Sequence, residues 1–180
     1  MPTPFQRNKP LPELEAMRRM GALQQQLLFA THQNRVRAPA LRGQLGDLLR
    51  QQGRLVEAIV TLKLAVREAH ETLQEQVWQA NRLRLATALF YNNEHDEAES
   101  IMRPLLLRIR NGHDRCYEDF VLQHLGKCVA EVGRWEEAVA LFEEALELRK
   151  AKGVESLIRS TEKALSAARE KAGANEAAQD

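Results

Sequence analysis

The side chains that could do chemistry are few and widely spaced in this sequence. Its histidines never pair at the spacing that places two ligands on one helix face, and no HExxH motif, glycine-rich phosphate loop or GxSxG motif occurs. Cys116 and Cys128 are separated by eleven residues, which fits neither a paired metal-ligand spacing nor a disulfide framework. We therefore expect no catalytic residue, no metal site and no cofactor, and a packing role for the cysteines. The histidines are His32, His70, His95, His113 and His124.

Two polar clusters have ordinary structural interpretations. The segment NGHD at 111–114 is typical of a turn between helices, because Asn-Gly favours a turn and Asp114 can cap the next helix. A catalytic use of His113 and Asp114 is the weaker interpretation. The glutamates between Glu136 and Glu147 are typical of a solvated helix face, and a cation site is their alternative.

Composition indicates a soluble, helix-rich protein with room for one core. The chain has 180 residues, 44% hydrophobic and 28% charged, and its net charge of +1 gives no global attraction to nucleic acid or membrane. No apolar run of roughly 18 residues and no apolar signal-peptide core occurs, so we expect a cytoplasmic protein. Basic residues prevail over residues 1–54 and acidic ones over 135–180. The basic end is either solvated or suited to an acidic partner or to the acidic end of another copy.

One residue pattern returns every 40 residues. LGDLLRQQGRLVEAIVTLKLAV at 45–66 matches LGKCVAEVGRWEEAVALFEEAL at 125–146. On both sides of Gly53 and Gly133, apolar residues recur at intervals of three and four, as in amphipathic helices, and glycine suits a turn that needs a positive φ. The pattern predicts a pair of helices, repeated three times. Its period is set by the pairs Glu57-Ala58, Glu97-Ala98 and Glu137-Ala138.

Two further glycines stand inside the first helix of a pair. Gly46 and Gly126 each destabilise a helix by about 0.5 to 1 kcal/mol relative to alanine. We therefore expect them where two helix backbones approach too closely for a side chain. The small residues predicted to meet them are Ala58, Ala65, Ala138 and Ala145.

The repeat resembles that of the tetratricopeptide (TPR) family, which implies an all-α, TPR-like helical-hairpin solenoid of three repeats. The middle copy departs with Ala86 and Leu105, and a 40-residue repeat without the closing proline is similar to kinesin light chains, Pins-type adaptors and MalT-like regulators. The resemblance covers about residues 39–152. It is carried by Leu45-Gly46, Leu49, Ala58, Leu62 and Ala65, and by Leu125-Gly126, Val129, Ala138, Phe142 and Ala145.

The segments outside the repeats complete the predicted organisation. We expect a flexible N-terminus at 1–11, a single domain over 12–172 and a disordered tail at 173–180. The domain would hold a lead-in helix at about 12–32, repeats at about 39–78, 79–118 and 119–152, and a capping helix from Val154 to about Lys171. The lead-in helix carries an apolar stripe of Leu14, Met17, Met20, Leu27 and Leu28.

In a TPR-like solenoid, the first helix of each pair lines the concave side, where partners commonly bind. Helical geometry turns Leu83 and Phe90 outward there, which suggests an exposed apolar patch, although ordinary packing is the alternative. Nearby cations could hold acidic or carboxyl groups or be simply solvated. The predicted partner-binding residues are Asp47, Arg50, Leu83, Arg84, Thr87, Phe90, Tyr91, Gln123 and Lys127.

These features favour a non-enzymatic adaptor or scaffold that binds a segment of another protein in its concave groove. One alternative is a regulatory or chaperone-type TPR module, such as a MalT-like sensor or a secretion chaperone. Another is a self-assembling homo-oligomer, in which the basic lead-in helix lies against the acidic C-terminal part of another copy. No nucleic-acid or membrane partner is expected.

Overall fold

The computed structural model describes Phe5, residues 10–33 and residues 35–176, and every regular element in these residues is helical. The predicted all-α class is therefore confirmed. A short 3-10 turn at Arg35–Arg37 leads into the second helix. The helices are α1 (Glu13–Gln33), α2 (Ala38–Gln51), α3 (Leu55–Glu71), α4 (Glu75–Tyr91), α5 (His95–Asn111), α6 (Glu118–Glu131), α7 (Trp135–Lys152) and α8 (Glu155–Glu176).

The three predicted helix pairs, α2–α3, α4–α5 and α6–α7, are joined by turns of the same geometry. Gly53 and Gly133 have φ angles of 76° and 81°, as predicted, and Asn93 takes the same place in the middle pair with φ 63°. In each turn, an amide donates to the carbonyl five residues earlier: Arg54 to Leu49, Glu94 to Leu89 and Arg134 to Val129, at 2.9 to 3.0 Å. Asparagine tolerates the left-handed region better than most residues, so the middle turn needs no glycine.

The chain forms two compact units, one of Asn8–Ala98 and one of Glu99–Asp180 together with Met1–Arg7. The single domain over 12–172 stays a prediction. In the first unit, α2 packs on α3, α3 on α4 and α1 on α2. A Cβ on Gly46 would lie 2.5 Å from Leu62 Cγ, so this position has no room for a side chain, as predicted. Its nearest neighbour is this leucine rather than an alanine, because the leucine side chain fills the space that the glycine leaves.

Helix α1 begins and ends close to its predicted bounds, but it packs differently from the prediction. Ala16 and Ala30 are the buried side chains, while Leu14, Met17 and Leu28 of the predicted stripe are 60 to 64% exposed. Helix α2 packs against a different face of α1, the one that carries these two alanines. Alanine on the covered face allows the two helices to approach closely.

In the second unit, α7 packs between α6 and α8. A Cβ on Gly126 would lie 2.7 Å from Phe142 Cε1, which repeats the arrangement at Gly46. Helix α8 covers this end with Ala164, Leu165 and Ala168 and continues to Glu176, beyond the predicted end at Lys171. Residues 173–176 of the predicted tail are thus helical, and 177–180 lie outside the described residues.

Candidate functional site

The predicted exposed patch on α4 is wrong, because its members are buried. Leu83 is 8% exposed and Phe90 is fully buried, and the hydroxyl of Thr87, also buried, donates to the Leu83 carbonyl at 2.8 Å. Leu85, Ala86, Ala88 and Leu89 are buried as well. The second half of α4, LATALFY at 85–91, has no charged residue on any face. A helix segment that is apolar around its whole circumference is enclosed by its neighbours, so this part of the sequence could have indicated the burial.

The polar residues predicted on α2 and at the end of α4 come together. Arg50 Nε donates to Asp47 Oδ1 at 2.9 Å, and Gln51 Nε2 donates to Asp47 Oδ2 at 2.8 Å. The Arg50 guanidinium also lies 5.0 Å from the centroid of the Tyr91 ring. Burial raises the pKa of Tyr91, and the positive charge of Arg50 opposes this rise. Because Asp47 and Arg50 form a salt bridge, their charges largely neutralise each other.

Arg84 differs from Arg50 because its partner is neutral. Its Nη1 donates to Asn81 Oδ1 at 3.0 Å, and Arg84 forms no salt bridge with an acidic side chain within the described part of the chain. Asn81 is fully buried, and its Nδ2 donates to the carbonyls of Pro39 at 3.0 Å and Ala65 at 3.3 Å. The asparagine thus fixes the position of Arg84 and leaves its charge uncompensated. Only glycine fits at position 43, where a Cβ would lie 1.9 Å from Asn81 Oδ1.

Asp47 and Arg84 line a groove of about 400 Å³ that lies between α1 and α2 and reaches α4. Its wall combines apolar side chains, amide groups and charges. Sequence reasoning missed the contribution of α1, because the face of α1 that meets α2 depends on tertiary packing. The lining residues are Leu11, Arg19, Ala22, Leu23, Gln26, Gln44, Asp47, Leu48, Gln51 and Arg84.

The two remaining predicted residues lie in the second unit and do not contribute to this groove. Lys127 is partly exposed on α6, whereas Gln123 is buried with 2% exposed, so its side chain is not at the surface. Gln123 Oε1 accepts a hydrogen bond of 3.1 Å from Arg149 Nη1. Its role in the structure is therefore to satisfy a buried arginine.

Arg149 is the centre of a buried polar network that joins α6, α7 and α8. Its Nε donates to Asp119 Oδ2 at 3.0 Å and its Nη1 to Thr161 Oγ1 at 2.7 Å. Burial lowers the pKa of Arg149, and the hydrogen bond that Arg149 donates to Asp119 opposes this change. Asp119 and Arg149 are 30 residues apart, so no local spacing reveals the pair. The network attaches α8 to the rest of the unit.

The environments of the two thiols disfavour the reactive thiolate form. Burial raises the pKa of the Cys128 thiol to about 12, which removes its nucleophilic form at neutral pH. Cys116 is exposed, and its pKa is also raised, first by partial desolvation and then by a hydrogen bond with Asp114. No group of three or more His, Cys, Asp or Glu side chains is placed to bind a metal within the described residues.

No helix in the part of the chain that the structure describes has the length and apolar character needed to cross a bilayer.

The helices form pairs, with a groove beside the first pair. The fold and its groove thus define a protein of the helical-hairpin repeat class. Proteins of this class commonly use such surfaces to bind other proteins.

Comparison with known proteins identifies the repeat. Residues 78–151 match the family model of the tetratricopeptide repeat, so this part of the chain carries TPR repeats, in agreement with the resemblance of the sequence pattern. A crystal structure of the nearly identical TPR-like repeats of a Podosopora anserina protein, assigned as a kinesin light chain, is similar to it. The TM-score is 0.67 at 20% identity, over 91% of this chain and 82% of the other.

A single-substitution variant of the same fungal protein is also similar, with a TM-score of 0.68, 20% identity and the same coverage. At this identity the likeness concerns the fold, and it confirms the predicted TPR-like helical-hairpin solenoid. A comparison with curated proteins gives no match.

Proposed function

We propose that this protein is a non-enzymatic adaptor that binds a segment of another protein in the groove between α1, α2 and α4. TPR repeats generally mediate interactions between proteins, and this function agrees with the repeats over residues 78–151. The observation that carries the proposal is the position of Arg84. It places an uncompensated cation on the wall of a partly apolar groove.

The chemistry of the groove favours an acidic residue next to an apolar one in the bound segment. Arg84 can donate to a carboxylate in a charge-assisted hydrogen bond, which is stronger than a bond between neutral groups. Leu11, Leu23 and Leu48 offer apolar surface for the neighbouring side chain. Gln26 and Gln44 have amide groups that can pair with the peptide backbone of the segment. Asp47 repels a carboxylate little, since Arg50 neutralises it.

Arg84→Glu should weaken this binding while the fold is retained. A library of random ten-residue peptides, displayed and selected on the wild-type protein, should enrich sequences with an acidic residue beside an apolar one. The variant should bind the leading peptide roughly 10- to 100-fold more weakly, because one charge-assisted hydrogen bond of about 1.5 to 3 kcal/mol is lost. Fluorescence anisotropy measures both affinities.

Arg67→Glu is the matched control, since it makes the same change of charge on α3, where the Arg67 side chain is 70% exposed. This control should bind as tightly as the wild type. Equal binding by Arg84→Glu, or enriched peptides without acidic residues, would exclude the groove as the site.

A second function, self-association, is favoured by the outer face of α1. Leu14, Met17, Leu28 and Phe29 are 60 to 69% exposed, and exposed apolar side chains in a line along one helix are typical of an interface. We propose a second copy as the occupant, with the two α1 helices antiparallel around Gly21. Leu14 and Leu28 are equally far from Gly21 along the helix, so Leu14 of one copy would contact Leu28 of the other. In this antiparallel arrangement, Arg18 and Arg19 of one copy also do not face Arg18 and Arg19 of the other.

Substitution of Leu14 and Met17 by serine should then convert a dimer into a monomer. Light scattering during gel filtration at about 100 μM provides the measurement. Val56 and Val60 on α3 are 70% and 64% exposed, and their change to serine is the matched control that should leave the dimer intact. A wild-type protein that is monomeric at this concentration would rule out the interface.

A further inference from the structure

Phe5 is seated in the second compact unit, although it lies in the segment 1–11 that we expected to be flexible. Its side chain is 3% exposed. The ring stacks on Phe142, with 6.1 Å between the ring centroids and 17° between the ring planes. It also lies 6.3 Å from the Trp135 ring at an angle of 35°. These distances are in the range of favourable aromatic pairs.

Phe5 lies in a slot formed by Trp135 and Phe142, and Gly126 fixes the position of the Phe142 ring. Because this glycine has no side chain, the Phe142 ring lies directly against the backbone of α6. The Phe142 ring also stacks on Phe5, and Trp135, one residue after the turn at 132–134, forms a second wall. The slot is thus an aromatic-lined site at the start of α7.

Among the three repeats, only the third has aromatic residues at both of these positions. The corresponding residues are Leu55 and Leu62 in the first repeat and His95 and Met102 in the second. Leu62 fills the space beside Gly46 as Phe142 does beside Gly126, so the helix pair packs without an aromatic ring. Packing within the repeat therefore does not require the two aromatic residues. In the third repeat, both of them contact the Phe5 ring.

We propose that the Trp135–Phe142 slot is a binding site for an aromatic side chain on an extended protein segment, and that Phe5 is its resident, exchangeable ligand. Phe5 lies outside the helices, and the described contacts of its ring are with these two side chains. A segment attached to the same chain binds at a high effective concentration. A protein partner with an aromatic residue reaches the slot by displacing this segment. The site has no residue in common with the groove that Arg84 lines.

The test uses a protein without residues 1–10, in which Trp78→Phe leaves Trp135 as the single tryptophan. The probes are a synthetic peptide of residues 1–10 and the same peptide with Phe5→Ala. The first peptide should shift the Trp135 emission to shorter wavelength in a saturable manner, because its ring shields the indole from water. The alanine peptide should leave the emission unchanged.

The full-length chain provides a second measurement, in case the shortened protein does not fold. Full-length Phe5→Ala should bind the peptide of residues 1–10. The wild-type chain should bind this peptide at least about tenfold more weakly, because its own Phe5 fills the slot. Phe142→Leu, which introduces the residue of the first repeat, should reduce peptide affinity at least about tenfold with an unchanged circular dichroism spectrum.

Three results would overturn the proposal. One is equal binding of the two peptides, and another is no binding of the phenylalanine peptide to either the shortened protein or full-length Phe5→Ala. The third is loss of helical structure in both of these proteins, since Phe5 would then be a permanent part of the core.

Discussion

Replacement of Leu83 and Phe90 by serine should unfold this protein at ambient temperature. Phe90 is fully buried and Leu83 nearly so, and removal of a large buried side chain costs roughly 2 to 5 kcal/mol. Each serine also introduces a hydroxyl into an apolar environment. The combined loss is of the same size as the whole stability of a typical domain, about 5 to 15 kcal/mol. Far-UV circular dichroism and urea titration of the single and double variants measure the loss.

Two matched variants separate burial from the chemistry of the substitution. Leu107 is 62% exposed on α5 and Val60 is 64% exposed on α3. Their replacement by serine should change the free energy of unfolding by roughly 0.5 kcal/mol or less. A double variant of Leu83 and Phe90 that keeps its helical signal and urea midpoint would show that α4 is not enclosed as the structure has it.

Asp119→Ala should cost roughly 3 to 5 kcal/mol, because it leaves Arg149 buried without its anionic partner. The side chains of Asp119 and Arg149 are 0% and 3% exposed, so water cannot replace the lost carboxylate. Lys152 also contacts Asp119 and would lose this partner. The expected fall in melting temperature is roughly 6 to 20 °C for a chain of this length, measured by calorimetry.

Removal of both charges tests whether the cost arises from the isolated cation. Asp119→Leu combined with Arg149→Met should recover at least half of the lost stability, since apolar residues can replace a buried pair at little cost. Glu71→Ala breaks the exposed pair of Arg67 and Glu71 and should change stability by about 0 to 1 kcal/mol. A loss below about 1 kcal/mol for Asp119→Ala would mean that solvent reaches the arginine.

The helices and their turns followed from local patterns. Apolar residues at intervals of three and four define the helices, and the 40-residue period aligns the three pairs. Gly53 and Gly133 marked two turns, because a positive φ is a local requirement that glycine meets at no steric cost. Gly46 and Gly126 indicated close helix approaches for a similar reason, since an unfavourable residue inside a helix needs compensation from packing.

The candidate sites required the tertiary structure. Helical geometry gives the direction of Phe90 from the axis of α4, but it does not say how many neighbours enclose that helix. Arg84 and Asn81 are near neighbours on α4, but Asn81 is held in place by carbonyls of α2 and α3. Arg149 with Asp119 and Phe5 with Phe142 are pairs of residues far apart in sequence. None of these contacts belongs to the repeat pattern. Periodicity reports which face of one helix is apolar. Which surface covers that face, and which charge is left uncompensated beside it, is decided only when the helices pack together.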